Sequence, residues 1–218
     1  MKKIFSSLPV KLLIGIVIGI IFGQIFPENV MSVVVPLKNI LGQVINFVVP
    51  LIVIGFIAPS ITKLGNNASR MLGVALMVAY TSSVLAALLS MGAGYAIIPN
   101  LPVVSEIEGL KELPEDVFGL TIPQIMNVMS ALAFSILIGL AAIWTKAKTI
   151  ITILDEFQNI VLAIVSKIII PILPVFIAFT FTCLSYDGTI TKQLPVFVSA
   201  VVIVMIGHYI WLTVLYVV

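Results

Sequence analysis

Six apolar runs separated by short polar stretches organise the chain. Each is close to or above the roughly 20 residues that cross a bilayer as a helix. The first is Pro9–Phe26, ended by Pro27, Glu28 and Asn29. In it Gly15, Gly19 and Gly23 recur every four residues, which predicts a face for close helix packing. The second runs from Pro36 to Ile61. Pro50 should bend it, and Asn46, one turn earlier, can bond a freed carbonyl or face another helix. A polar turn of Lys63, Gly65, Asn66, Asn67 and Arg70 leads to the third run, Met71–Ile98. Pro99–Gly119 then lacks apolar periodicity, carries Glu106, Glu108, Glu112, Glu115 and Asp116 against Lys111, and reads as a solvated loop. The fourth run is Thr121–Trp144, where Pro123, Gln124 and Asn127 predict a broken or interfacial start. Lys146 and Lys148 close it. Asp155 and Glu156 precede the fifth, Phe157–Leu184, with bends expected at Pro171 and Pro174. After a short loop over Ser185–Gln193, the sixth runs from Leu194 to the last residue.

Composition fixes the class. Of 218 residues, 61% are hydrophobic and 9% charged, with mean hydropathy +1.28, whereas an ordinary soluble domain carries about 25% charged residues. The expected fold class is all-α, a polytopic membrane protein of six transmembrane helices. Net charge is +2 without a basic cluster, so nucleic-acid binding has no support. One cysteine, Cys183, and one histidine, His208, exclude an internal disulfide, a cysteine-based metal site and a histidine-rich metal or haem site. Met1-Lys2-Lys3 before the first run is not read as a signal peptide: the run is long and no small-residue cleavage site follows. With the N-terminus cytoplasmic, the inner segments hold seven basic residues (Lys2, Lys3, Lys11, Lys63, Arg70, Lys146, Lys148) and the outer ones three (Lys38, Lys111, Lys192). That agrees with the positive-inside rule.

The candidate chemistry sits in the third run. Tyr80-Thr81-Ser82-Ser83 groups oxygens near its middle, where they cost free energy unless partnered. Two jobs fit. Ser82, Ala86, Ser90 and Gly94 form a small-residue stripe at four-residue spacing, suited to packing another helix; alternatively, the hydroxyls offer oxygens to a cation. Lys167, in the fifth run, is a functional candidate as an intramembrane charge, or a lysine that snorkels or meets a wet subunit interface. His208 is a possible proton relay or an interhelical hydrogen-bonding residue. Ser90 with His208 does not make a serine protease, since no nucleophile elbow or oxyanion motif accompanies them. No phosphate-binding glycine loop supports an ATP-driven pump. Enzymatic activity is therefore not expected. The chain stops inside an apolar run, at Tyr216-Val217-Val218, without a polar flank, and the expectation is the N-terminal part of a longer protein.

Several stretches, in order, resemble the dicarboxylate/amino acid:cation symporters, the glutamate-transporter family. These are the glycine-spaced Pro9–Phe26, Asn46–Gly65 with its Val-Pro-Leu bend, Met129–Ala141, and Ile170–Phe176 with its paired prolines. The likeness covers nearly the whole chain. It implies a homotrimer in the cell (inner) membrane that moves a small-molecule substrate, a dicarboxylate or amino acid, by cation-coupled symport. It also implies an elevator-type fold, here lacking the C-terminal hairpins and last spans. On that reading residues 1–218 are one integral membrane unit. Spans at about 9–64 and 121–184 belong to the scaffold, and spans at about 71–98 and 194–218 to the transport unit. The coupling ion would be sodium or a proton, with no other cofactor or metal. The family's substrate-binding residues lie outside this portion. A family sodium site takes a tyrosine and, three residues on, a threonine-serine pair from the third span, which resembles Tyr80, Thr81, Ser82 and Ser83 as a partial cation site. In either register the tyrosine position is apolar here, Val78 or Ala79. The competing expectation is a truncated, non-transporting scaffold or oligomerisation component.

Overall fold

The computed structural model describes residues 7–97, 110–115 and 119–217. Glu106, Glu108 and Asp116 of the acidic loop, and Lys2 and Lys3, lie outside them. All regular structure among the described residues is helical: α1 (Leu8–Ile25), α2 (Glu28–Lys63), α3 (Ala68–Ile97), α4 (Val128–Trp144), α5 (Lys148–Ile164), α6 (Ile170–Tyr186) and α7 (Thr189–Val217). A 3-10 turn, Gly65–Asn67, links α2 to α3. A π-turn, Val165–Ile169, joins α5 to α6 into one helical stretch, Lys148–Tyr186. Among the described residues, five stretches are long and apolar enough to cross a membrane, and α4 is a shorter apolar helix of 17 residues.

The chain divides into two compact units. The first comprises residues 1–72 and 112–187. In it α1 packs along α6, while α2 packs against α4, α5 and α6. Lipid offers no hydrophobic drive between helices, so contact depends on how closely backbones approach. The glycine face of α1 does this. Gly15, Gly19 and Gly23 are buried, and a Cβ at each would run into the backbone carbonyls of Pro174, Ala178 and Thr182 respectively. The Ser185 hydroxyl donates to the Ile20 carbonyl across the same seam (2.8 Å). Gly139 of α4 admits Ile61 and Ala58 of α2, and Gly55 of α2 admits Val161 of α5 in the same way. A buried cluster of Met31, Val34, Val35 and Cys183, flanked by Phe26, Phe179, Tyr186 and Leu113, joins α2 to α6. The second unit comprises residues 73–111 and 188–218, most of α3 together with α7.

Four boundaries differ from the pattern-based expectation; the simplest is the sixth span, which starts at Thr189, not Leu194, so that the expected loop over Ser185–Gln193 shrinks to Asp187 and Gly188. The second span starts at Glu28, not near Pro36. Pro27 is extended and caps the new helix, Glu28 suits the positive end of its dipole, and Pro36 lies buried inside it with Pro50 and Pro59. Asn46 is exposed and makes no side-chain hydrogen bond among the described residues. The fifth helical stretch starts at Lys148, so Asp155 and Glu156 lie within it. Lys146, in the left-handed region (φ 52°), turns the chain between α4 and α5. Asp155 meets Lys63 of α2 (3.3 Å), which also donates to Gln158 (2.9 Å). With both ionic side chains about half exposed (58% and 43%), that pair contributes at most about 1 kcal/mol.

In the fourth span the broken start expected at Pro123, Gln124 and Asn127 is present, and what differs is how late the helix begins. Helix begins only at Val128, capped by Asn127, whose side chain accepts from the Met129 N–H (2.9 Å). The non-helical stretch before it needs partners for its backbone groups. Gln43 of α2 supplies two: its Nε2 donates to the Leu120 carbonyl (2.8 Å) and its Oε1 accepts from the Ile122 N–H (2.5 Å). Gln43→Leu removes both hydrogen bonds, each worth about 0.5–1.5 kcal/mol, and is expected to cost about 1–3 kcal/mol in all. Gln43→Glu, which keeps the acceptor, should cost less. Thermal unfolding of the two purified variants checks that order.

Candidate functional site

The tetrad Tyr80-Thr81-Ser82-Ser83 lies in the unbroken helix α3, in the second unit. Because the helix is regular there, its carbonyls are committed to its own ladder, and only side-chain oxygens are free to act. Those oxygens do not all face one way. Tyr80 and Ser83, three residues apart, share a face; Thr81 and Ser82 point to others. Tyr80 is 76% exposed, and Thr81 and Ser83 are exposed, while Ser82 is half-buried.

Ser82 already has a partner. The indole N–H of Trp211, on α7, donates to its hydroxyl (3.3 Å). Trp211 drew no role from the sequence, although an indole N–H in an apolar helix needs an acceptor, and that need is the signal that could have flagged it. Continuing from Ser82, the small-residue stripe does not seat a helix tightly. Ala86, Ser90 and Gly94 line a cavity of about 420 Å³ with Ala200, Gly207 and His208 of α7. Short side chains at Ala86, Ser90, Gly94, Ala200 and Gly207 leave space there that the larger lining residues, Leu89, Ile203, Val204 and Trp211, do not fill. His208 is exposed at this cavity, its ring edge-on to Tyr209 (centroids 6.2 Å apart). The stripe therefore does two things here: a hydrogen bond at Ser82, and a cavity wall beyond it.

As a cation site the tetrad is partial. Tyr80, Thr81 and Ser83 offer hard hydroxyl oxygens, and a hard cation needs about six oxygen ligands in all. No group of three or more His, Cys, Asp or Glu residues suited to a metal occurs among the described residues. Lys167 lies in the first unit, in the π-turn, exposed and without a hydrogen bond or ion pair among the described residues. The structure does not bring it together with the tetrad in one unit.

The family model of the sodium:dicarboxylate symporter family matches residues 8–218. No curated protein and no solved structure matches the chain.

Proposed function

Because this chain belongs to the sodium:dicarboxylate symporter family, we propose that it serves secondary active transport, carrying a dicarboxylate or an amino acid together with sodium ions or protons. The family match over residues 8–218 is the observation that carries this reading. The chain is a multi-pass membrane symporter component and not an enzyme. The division into two compact units supports an elevator-type role for each. The unit built from α1, α2, α4, α5 and α6, held by glycine-to-backbone contacts, suits a fixed scaffold. The unit of α3 and α7, with its unfilled cavity, suits part of a moving carrier. In this reading the protein is a homotrimer of the cell membrane with a cytoplasmic N-terminus, the orientation supported by the seven-to-three split of basic residues. The coupling-ion site draws on hydroxyls of the tetrad Tyr80, Thr81, Ser82 and Ser83, not all of which turn to the same face of α3.

Coupling means that ion and substrate strengthen each other's binding, and the reinforcement is reciprocal. Thermal stability of the full-length protein in detergent reads it out, because a ligand at 100 times its Kd stabilises by about 2.7 kcal/mol. A panel of dicarboxylates and amino acids is added in sodium buffer and in choline buffer, each at two pH values. One substrate class should raise Tm only when sodium, or the lower pH, is present. Stabilisation that ignores both ions, or none by any member of the panel, overturns the proposal.

A further inference from the structure

Between Asn159 and Asp187, across the apolar part of the α5–α6 stretch, Lys167 is the one charged residue. It lies eight residues beyond Asn159, about 12 Å deeper along the helix at 1.5 Å per residue. Its surroundings are oily: Ile160 (57% exposed), Ala163, Ile170 (37% exposed) and Pro171 share its exposed side of the helix. Neither acidic residue of the same helical stretch, about three turns back, reaches it. Asp155 is held by Lys63, and Glu156 is eleven residues back along the same helix.

The backbone is adapted at the same place. Pro171 has no N–H to give to the carbonyl of Lys167, four residues earlier. The helix responds with the π-turn Val165–Ile169, closed by the Ile170 N–H on the Val165 carbonyl. A π-turn of this kind interrupts a regular helix at a cost, and such interruptions concentrate at functional positions. The feature is thus an ammonium on a flexible stem, at a distorted turn, on an exposed apolar face. An intramembrane charge is retained where it meets an opposite charge. A lysine at this depth extends its stem along apolar surface toward the nearer headgroup layer.

We infer that Lys167 and the apolar face around it form a phospholipid site, in which the ammonium binds the lipid phosphate and Ile160, Ala163 and Ile170 lie along the acyl chains. The leaflet is the one on the Lys148 side of the α5–α6 stretch. The site needs the phosphate and the chains together. Diacylglycerol lacks the first and inorganic phosphate lacks the second.

Native mass spectrometry of the full-length protein, stripped of lipid and titrated with phosphatidylglycerol, tests the site. The wild type should hold a phosphatidylglycerol adduct that Lys167→Arg keeps and Lys167→Met weakens at least tenfold, while diacylglycerol gives no adduct and inorganic phosphate does not displace the lipid. A second measurement needs no variant. Amine-reactive labelling of Lys167, read by peptide mass spectrometry, should slow at least tenfold with phosphatidylglycerol and stay unchanged with diacylglycerol. Wild-type retention of the adduct by Lys167→Met, or labelling that phosphatidylglycerol leaves unchanged, overturns the inference. So does efficient disulfide cross-linking of Lys167→Cys between two protomers, which would mean that a second copy covers this face. Displacement by inorganic phosphate would make it an anion site rather than a lipid site, and would also overturn it. These readouts do not involve transport, so their failure leaves the symport proposal standing.

Discussion

Gly19→Leu is expected to abolish recovery of folded protein, and Gly19→Ala to lower thermal stability clearly. A Cβ at Gly19 overlaps the Ala178 carbonyl oxygen and lies 2.9 Å from the Phe181 Cβ and 3.2 Å from the Ala178 carbonyl carbon. Two of these are backbone atoms, and no flexible tip can swing aside. Overpacking a core ordinarily costs about 1–3 kcal/mol, and an alanine at Gly19 belongs at the upper end of that range. A leucine must push α1 off α6 altogether and lose the seam that runs from Gly15 to Gly23, including the Ser185–Ile20 hydrogen bond. Since a whole domain is stable by only about 5–15 kcal/mol, that loss leaves too little to hold the unit. Gly42→Ala is the control. Its new Cβ would meet only the edge of the Phe176 ring, at 3.2 Å, which can shift. Yield, gel-filtration profile and thermal unfolding of the three variants separate the cases. Normal yield and profile for Gly19→Leu would refute the close α1–α6 packing.

The second large effect is expected at the tetrad. In the full-length protein, Ser82→Ala combined with Ser83→Ala should raise the cation concentration for half-maximal uptake at least tenfold, a loss of about 1.4 kcal/mol, at normal expression. The single changes should divide unequally. Ser82 accepts from Trp211, so Ser82→Ala removes a hydrogen bond worth about 0.5–1.5 kcal/mol of stability. Ser83 is exposed and carries no such structural duty, so Ser83→Ala should act on the ion with little effect on folding. An unchanged cation dependence in the double variant would remove both hydroxyls from the site and leave the packing role alone.

Where the sequence spoke clearly, it did so through constraints that act locally. Bilayer thickness sets the length of an apolar run, so the helices were legible. Close approach in lipid demands small side chains, so Gly15, Gly19 and Gly23 mark a contact face on their own, without naming its partner α6. The boundaries that differ are those where a proline or a charged pair looks like the end of a span. Pro36 looks like a helix start, yet it sits buried inside α2, because a long helix packed on its neighbours tolerates the missing bond. Asp155 and Glu156 look like a flank, yet they extend an amphipathic helix whose charge meets Lys63. Contacts distant in sequence were not legible: Gln43 on Leu120 and Ile122, and Trp211 on Ser82, depend on tertiary placement that no spacing encodes. The stripe of Ser82, Ala86, Ser90 and Gly94 has the spacing of a packing face, and only the structure shows that beyond Ser82 it borders a cavity, with Ala200 and Gly207 among the α7 residues across it.

The central claim is that this chain works as part of a gradient-driven carrier, and accumulation in proteoliposomes tests it most directly. The full-length protein is reconstituted with equal labelled substrate inside and out, and a sodium or proton gradient is then imposed. The account predicts that a dicarboxylate or an amino acid concentrates inside well above its outside level, and that an ionophore collapses the excess. Internal substrate that stays level with the outside under both gradients, for every member of the panel, would contradict it.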